Sequence, residues 1–531
     1  MPFPRFARFS PFFPKAPSMN IPLNLAAAPR HAPPVPGLRC LARPAAALLT
    51  ACLLAALATG CGGSGGGGGA IDSGSVLDRT PASRVGTLDA AFSTGSADGL
   101  PAGVAGLSLS AGKDYLRAMA LQADGKAVVA GIARAPDGTA NAAVARFNTD
   151  GTPDAGFGIG GVASVSLGRG DDTARAVAVQ PDGKIVVAGT TQGADGLSDI
   201  AALRLNSDGT PDATFGTGGV FRLSLGEGDD TASAVAIQPD GKIVLAGTSE
   251  ADSGLNRIAV ARLNRNGTLD AGFGGAGTAG FPAGVVGLTL GAGDAAASAL
   301  ALQPDGRLVV VGTLQSADGS SDMAVARLNP DGTLDAGFGA GGAGGLPAGV
   351  AAISLGARDD TPYAVALQPD GRIVLAGTSY TGEGASRIAV VRLNASGTLD
   401  ATFGAGSADG TPDGAVGLGL GVPPGSGAGQ DTAYALALQP DGMLVVAGTT
   451  LAADGSRNIA VARLKADGTP DTTFGPGTAD GTPSGAVGLS LGAGDDIARA
   501  VALQPDGRIL VAGDRANGAG SDIWLARLID R

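Results

Sequence analysis

The sequence predicts an all-β protein: a seven-bladed β-propeller of four-stranded blades, its ring closed by an N-terminal strand that completes the last blade. Three observations carry this reading. The string QPDG, once QADG, begins at Gln122, Gln180, Gln238, Gln303, Gln368, Gln439 and Gln504, at spacings of 58, 58, 65, 65, 71 and 65 residues, and self-similarity at such a period marks a repeat architecture. Each copy holds short runs of Val, Ile, Leu and Ala bounded by Gly, Pro, Asp and Asn, the signature of strands. The copies are also split at the chain ends. The last stops at Ala526-Arg527-Leu528-Ile529-Asp530-Arg531, while an orphan Gly86-Thr87-Leu88-Asp89-Ala90-Ala91-Phe92 precedes the first. The N-terminus thus supplies what the C-terminus lacks, as closing a ring and removing sheet edges requires.

Composition agrees. The 531 residues include 91 Gly without a three-residue period, which excludes collagen, and 44% hydrophobic content excludes wholesale disorder.

Residues 1–60 read as a signal peptide, with Met19 as an alternative start. Arg39 and Arg43 precede an apolar run from Ala45 to Thr59, too short for a membrane helix of about 20 residues and flanked as export signals are. Leu57-Ala58-Thr59-Gly60-Cys61 resembles the lipobox of bacterial lipoproteins, with Ala58 where Leu is commonest. That resemblance implies a lipid on Cys61, and Gly62 after it implies outer-membrane sorting. A plain secretory signal or an uncleaved anchor is the alternative. Residues 61–85, with GGSGGGGGA at 62–70, read as a flexible tether. The propeller is expected over 86–531.

Within each unit, PDG joins the first two strands: Pro presets φ, Asp bonds the backbone locally and Gly accepts positive φ. Lys184–Ala188 and its counterparts are apolar on both faces, so both must be covered. Four-stranded sheets covering one another are propeller blades. A Gly follows the second run in every copy (Gly131 to Gly513) and an Arg closes every third run (Arg146 to Arg527). The NxDGT string after it reads as a turn rather than a calcium loop, because no bidentate Glu follows. The repeated Phe (Phe157 to Phe474) reads as a wedge between blades and Trp524 as packing.

QPDGKIVVAG and ARLNxDGTLDxxFG resemble the delta-60 repeat over residues 86–531. The resemblance implies a bacterial, exported, propeller-like protein and no defined enzymatic activity.

The rare residues bound the chemistry. The only histidine is His31, and Cys40 and Cys52 share the leader with it. Removing residues 1–60 removes Ser-His-Asp and Cys-His catalysis, His-ligated zinc and intramolecular disulfides. It also removes six basic and no acidic residues, leaving 30 basic against 48 acidic. Nucleic acid is excluded as a partner on this balance, which favours cations and cationic or small-molecule ligands. A monomer is expected, with an unidentified protein as a further partner class.

Two sets of residues lie where the inner strand enters the channel mouth. Eight places before each Gln stand Asp114, Asp172, Asp230, Asp360, Asp431 and Asp496; the fourth unit has Ala295, with Asp294 one place earlier. A carboxylate ring suits calcium, the one cofactor the sequence suggests. The competing reading is structural: an Asp in nearly every blade caps its loop or pairs with the repeated Arg. Five places before each Gln the repeat stops agreeing: Arg117, Arg175, Ser233, Ser298, Tyr363, Tyr434 and Arg499. A binding surface on a symmetric ring need not be symmetric, so this set is the expected ligand site; drift at a solvated position is the alternative. Arg grips carboxylate or phosphate and Tyr offers a flat face with a polar tip. Variable segments such as SADGLPAG before GLSLG suit either a binding side or cheap insertion.

The expected function is a lipid-anchored, non-catalytic binding or interaction scaffold at the periplasmic or cell-surface side of the outer membrane. One alternative is a calcium-assisted hydrolase or lyase in which the displaced Asp294 opens a substrate position. The other is a purely structural surface protein.

Overall fold

Seven four-stranded antiparallel sheets account for all twenty-eight strands among the described residues. The computed structural model describes residues 85–530, apart from loop positions 95–98, 136, 169, 252, 276–279, 340–344, 357, 382–384, 406–409, 422–428, 476–484 and 519. The expected leader, Cys61 and the glycine tether lie outside the described residues, as do parts of the variable segments.

Blade 1 runs outward from the axis through Asp114–Leu121, Ala127–Arg134, Ala140–Phe147 and Val162–Val165. Blades 2 to 6 repeat this order, and inner strands of neighbouring blades touch around the ring. The PDG turn forms for the reasons its residues suggest. Gly183 takes φ +83°, its N–H donates to Gln180 O at 2.9 Å, and Asp182 Oδ1 accepts the Lys184 N–H at 3.1 Å.

Second and third strands are buried on both faces because each blade lies against two others. Val244, Ala246 and Val260 of blade 3 pack with Leu308, Val310 and Ala326 of blade 4 around Phe273. The repeated Phe is fully buried at every such interface. Trp524 is buried too, in the cluster between blades 6 and 7.

Each interface is also stapled by the repeated Arg. In blade 5, Arg392 Nε donates to Asp400 Oδ2 at 2.8 Å, and the guanidinium carbon lies 4.7 Å from the Phe403 centroid. The same side chain reaches the Ala466 carbonyl of blade 6. All seven repeated arginines hold such a carboxylate, at 2.6–2.9 Å from Nε.

Ring closure departs from expectation in one respect. The strand that completes blade 7 is Val104–Leu107, paired with Gly520–Leu528 in the register Val104↔Ala526. The orphan Gly86–Phe92 makes only the bridge Leu88↔Leu528, because GTLDAxFG is the turn segment between third and outer strands. It contributes the missing staple instead. Asp89 receives Arg527 Nε and Arg508 Nε, each at 2.9 Å, and Phe92 lies under Arg527.

Candidate ligand site in the central channel

The seven positions where the repeat stops agreeing share one local structure. In every blade the register between inner and second strand shifts around that residue: between Leu116 and Ala118 at Arg117, and likewise at Arg175, Ser233, Ser298, Tyr363, Tyr434 and Arg499. Each is thus the unpaired residue of a β-bulge, a device that re-aims a side chain. The bulge also explains the repeated Gly. A Cβ on Gly377 would run into the Thr361 carbonyl oxygen, and the other six glycines meet the corresponding carbonyl in the same way.

Around the ring the bulge residues fall into arcs. Arg499, Arg117 and Arg175 come from blades 7, 1 and 2, Ser233 and Ser298 from blades 3 and 4, and Tyr363 and Tyr434 from blades 5 and 6. The tyrosine rings are 5.3 Å apart at 53°, and the Arg499 guanidinium stacks on Tyr434 at 4.7 Å. Burial and the charges of Arg499 and Arg175 push the Arg117 pKa down; burial pushes Arg175 down. Tyr363 is pushed up to about 12 by burial and by Tyr434 and Tyr380. It is nonetheless 38% exposed, as a side chain walled by protein but open along a channel must be.

Sequence reasoning missed two members of this site. Asp514 is buried on the second strand of blade 7 and accepts from Arg499 Nε at 3.2 Å. Its pKa is raised by burial against the pull of Arg499 and Arg117. The signal was available: the residue after the repeated Gly is Ile132 or Thr in the other six units and Asp only here. Tyr380 ends the second strand of blade 5 at the same end of the blade, 43% exposed. All four tyrosines of the chain, Tyr115, Tyr363, Tyr380 and Tyr434, therefore lie at this end of the ring.

The aspartate set is placed differently. Asp114, Asp172, Asp230, Asp360, Asp431 and Asp496 open their inner strands, all buried, each accepting a backbone N–H at 2.5–2.7 Å from the Leu of its own entry loop. Burial raises the pKa of all of these for which a shift is resolved. Across the strand pair Asp172 faces Thr191, Asp230 faces Ser249 and Asp360 faces Ser379. Blade 4 changes both partners, with Ala295 facing Leu314. None pairs with the repeated Arg, which takes the Asp of the GTLD turn instead. Nor is Asp294 a displaced member. It caps the start of the neighbouring blade's third strand at Asn256 N–H, 2.7 Å, as Asp171, Asp229, Asp359 and Asp495 do for theirs. Among the described residues no three His, Cys, Asp or Glu converge on one point.

The family model described as "Domain of unknown function (DUF5122) beta-propeller" matches residues 122–157, 180–215, 238–273, 303–338, 368–403, 439–474 and 504–528. Comparison with curated proteins finds no match. Among solved structures, virginiamycin B lyase from Staphylococcus aureus is similar at 13% identity and TM-score 0.42, over 80% of this chain and 99% of that one. A PL25 ulvan lyase is similar at 12% and 0.37, over 80% and 96%, and a glucose dehydrogenase at 14% and 0.38, over 64% and 95%. At such scores the activity of those proteins says nothing about this one. With one match in each of its seven blades, the chain is a β-propeller repeat protein.

Proposed function

We propose that this protein is an exported bacterial binding module, lipid-anchored through Cys61, whose channel holds a small organic anion without transforming it. One observation carries the reading. Every repeated arginine has a carboxylate within 2.9 Å, whereas Arg117 and Arg175 have neither ion pair nor hydrogen bond among the described residues. Like charges gathered in a low-dielectric channel repel unless an anion joins them. The acidic balance of the whole chain favoured cationic ligands, but those carboxylates serve turns and staples, and the local sign at the mouth is opposite. The delta-60 resemblance and the lipobox-like Cys61 support the address, and the absence of His beyond residue 31 supports a binding role.

Thermal unfolding of the purified protein in low salt, titrated with inorganic phosphate and with citrate, tests the site. A ligand of the folded state at ~100 times its Kd adds about 2.7 kcal/mol. Both Arg117→Ala and Arg175→Ala should abolish the rise. A rise that survives both substitutions places the anion elsewhere and ends this reading. For the anchor, Cys61→Ser should release the protein from the membrane fraction; a variant that stays there refutes lipidation.

A further inference from the structure

The tyrosines narrow the class of ligand. Tyr434 is already occupied on both sides, by Tyr363 at 5.3 Å and by the Arg499 guanidinium at 4.7 Å. Rings tilted at 53° and so close leave no slot for a flat aromatic ligand between them. The open aromatic surface belongs to Tyr363 and Tyr380, exposed by 38% and 43%, both on blade 5. Tyr380 stands on the second strand, one step outward from the channel wall. Blade 5 lies across the ring from blades 1 and 2, which carry Arg117 and Arg175. A ligand that uses both surfaces bears an anionic group at one end and a ring with an apolar face at the other. It also extends beyond the channel.

A sugar ring has that form. Its C–H face rests on an exposed tyrosine while its edge hydroxyls bond to polar neighbours, and Tyr presents a flat apolar body with a polar tip for such use. An acidic peptide would instead need apolar pockets for side chains, and the rest of the bulge ring offers Ser233 and Ser298. Resting on the reading of the channel as an anion site, we infer that the ligand is an acidic oligosaccharide. One uronate or sulfate group is held by Arg117 and Arg175, and the following sugar rings leave over Tyr363 and Tyr380. The scarcity of aromatics in the chain, 4% overall, does not oppose this, because all four tyrosines are concentrated at this mouth.

Calorimetric titration of the intact protein separates the two levels. The probes are inorganic sulfate, 2-naphthoate, a Glu hexapeptide, tetragalacturonate, a hyaluronan tetrasaccharide and a chondroitin sulfate tetrasaccharide. At least one acidic tetrasaccharide should bind more tightly than sulfate. Tyr363→Ala and Tyr380→Ala should each weaken it on the order of tenfold, with sulfate binding unchanged and the unfolding midpoint retained. Arg117→Ala should abolish both. Tyrosine-independent binding of the saccharides, or tighter and tyrosine-dependent binding of naphthoate or the peptide, overturns the saccharide assignment and leaves the anion site standing. Binding of no anion at all, or binding indifferent to Arg117, overturns both.

Discussion

Arg392 lies between the Asp400 carboxylate, the Phe403 ring and a carbonyl of the next blade. Arg117, on the inner strand of blade 1, feels chiefly other arginines and one carboxylate that Arg499 already holds. The first arrangement recurs seven times because every blade interface poses the same packing problem. The second occurs once, because a small ligand on a seven-membered ring has no seven-fold symmetry to match. Repetition marks what the fold needs, and its local failure marks what the fold is free to use.

The largest expected effect is at the staple. Arg392→Ala leaves the buried Asp400 carboxylate with the partly exposed Arg372, 2.9 Å away, removes a stacked cation and cuts a tie to blade 6, so a loss of about 3 kcal/mol is expected. Arg117→Ala removes a repelled charge and should change stability by less than about 0.5 kcal/mol. Denaturant midpoints measure both. Equal losses would break the distinction between framework and channel arginines.

Next in size is the glycine that makes the bulge possible. Gly377→Ala drives a methyl into the Thr361 carbonyl, and overpacking of this kind costs about 1–3 kcal/mol, sometimes more. The strand pair can escape only by losing the bulge, which would turn Tyr363 out of the channel. Lost stability together with lost ligand binding is therefore expected, the binding measured at a temperature where the variant remains folded. Unchanged stability would show that the repeated Gly is not there for the bulge.

The two aspartate populations should separate on acid titration. Asp154 is held down to about 2 by Lys126, helped by the Gly156 N–H and Arg146, against burial. Its folded pKa lies below the unfolded value near 3.9. Its contribution, about 2 kcal/mol, is thus complete above pH ~5 and lost as pH falls through about 2. Asp360 has the opposite sign. Burial raises its folded pKa, so it costs stability when ionised, and the cost is relieved as pH falls through that value toward 3.9. Asp154→Asn should lose most at pH 7 and little at pH 2. Asp360→Asn, whose amide oxygen can still accept the Leu355 N–H, should be neutral or slightly stabilising at pH 7. Denaturant unfolding at both pH values checks the pair, and two variants of the same sign would show that the capping carboxylates are not set by burial.

Much of the fold was legible because each local requirement was written seven times. Pro, Asp and Gly at the turn, Gly behind the bulge and Arg before the GTLD turn all recur at fixed offsets. Ring closure was legible in direction but misplaced by some fifteen residues, since GTLDAxFG looks extended in sequence and is a turn in the fold. The bulge residues stood out as variation in an otherwise constant column. Asp514 and Tyr380 did not, because they belong to the second strand and their approach to the mouth depends on the register between strands. Asp294 was misassigned for a related reason: two adjacent Asp columns serve different blades, and only hydrogen-bond partners tell them apart.

The smallest expected effect is none. Adding millimolar calcium to chelator-stripped protein should leave the unfolding midpoint where it was. The six aspartates are each turned into their own entry loop, bound to a backbone N–H at 2.5–2.7 Å. A calcium ion needs six to eight oxygens around one point, and no blade offers more than one such carboxylate. Blade 4 adds the sharper argument. There the Asp and the hydroxyl it faces in blades 2, 3 and 5 have both given way to apolar residues, Ala295 and Leu314. The ring is thus broken at blade 4, while blade 1 keeps Asp114 opposite Ala133, where the carboxylate still accepts the Leu109 N–H. If calcium raises the midpoint, these carboxylates must turn out of their loops toward one another, and the bulge arc would share the channel with a cation that inverts its ligand preference.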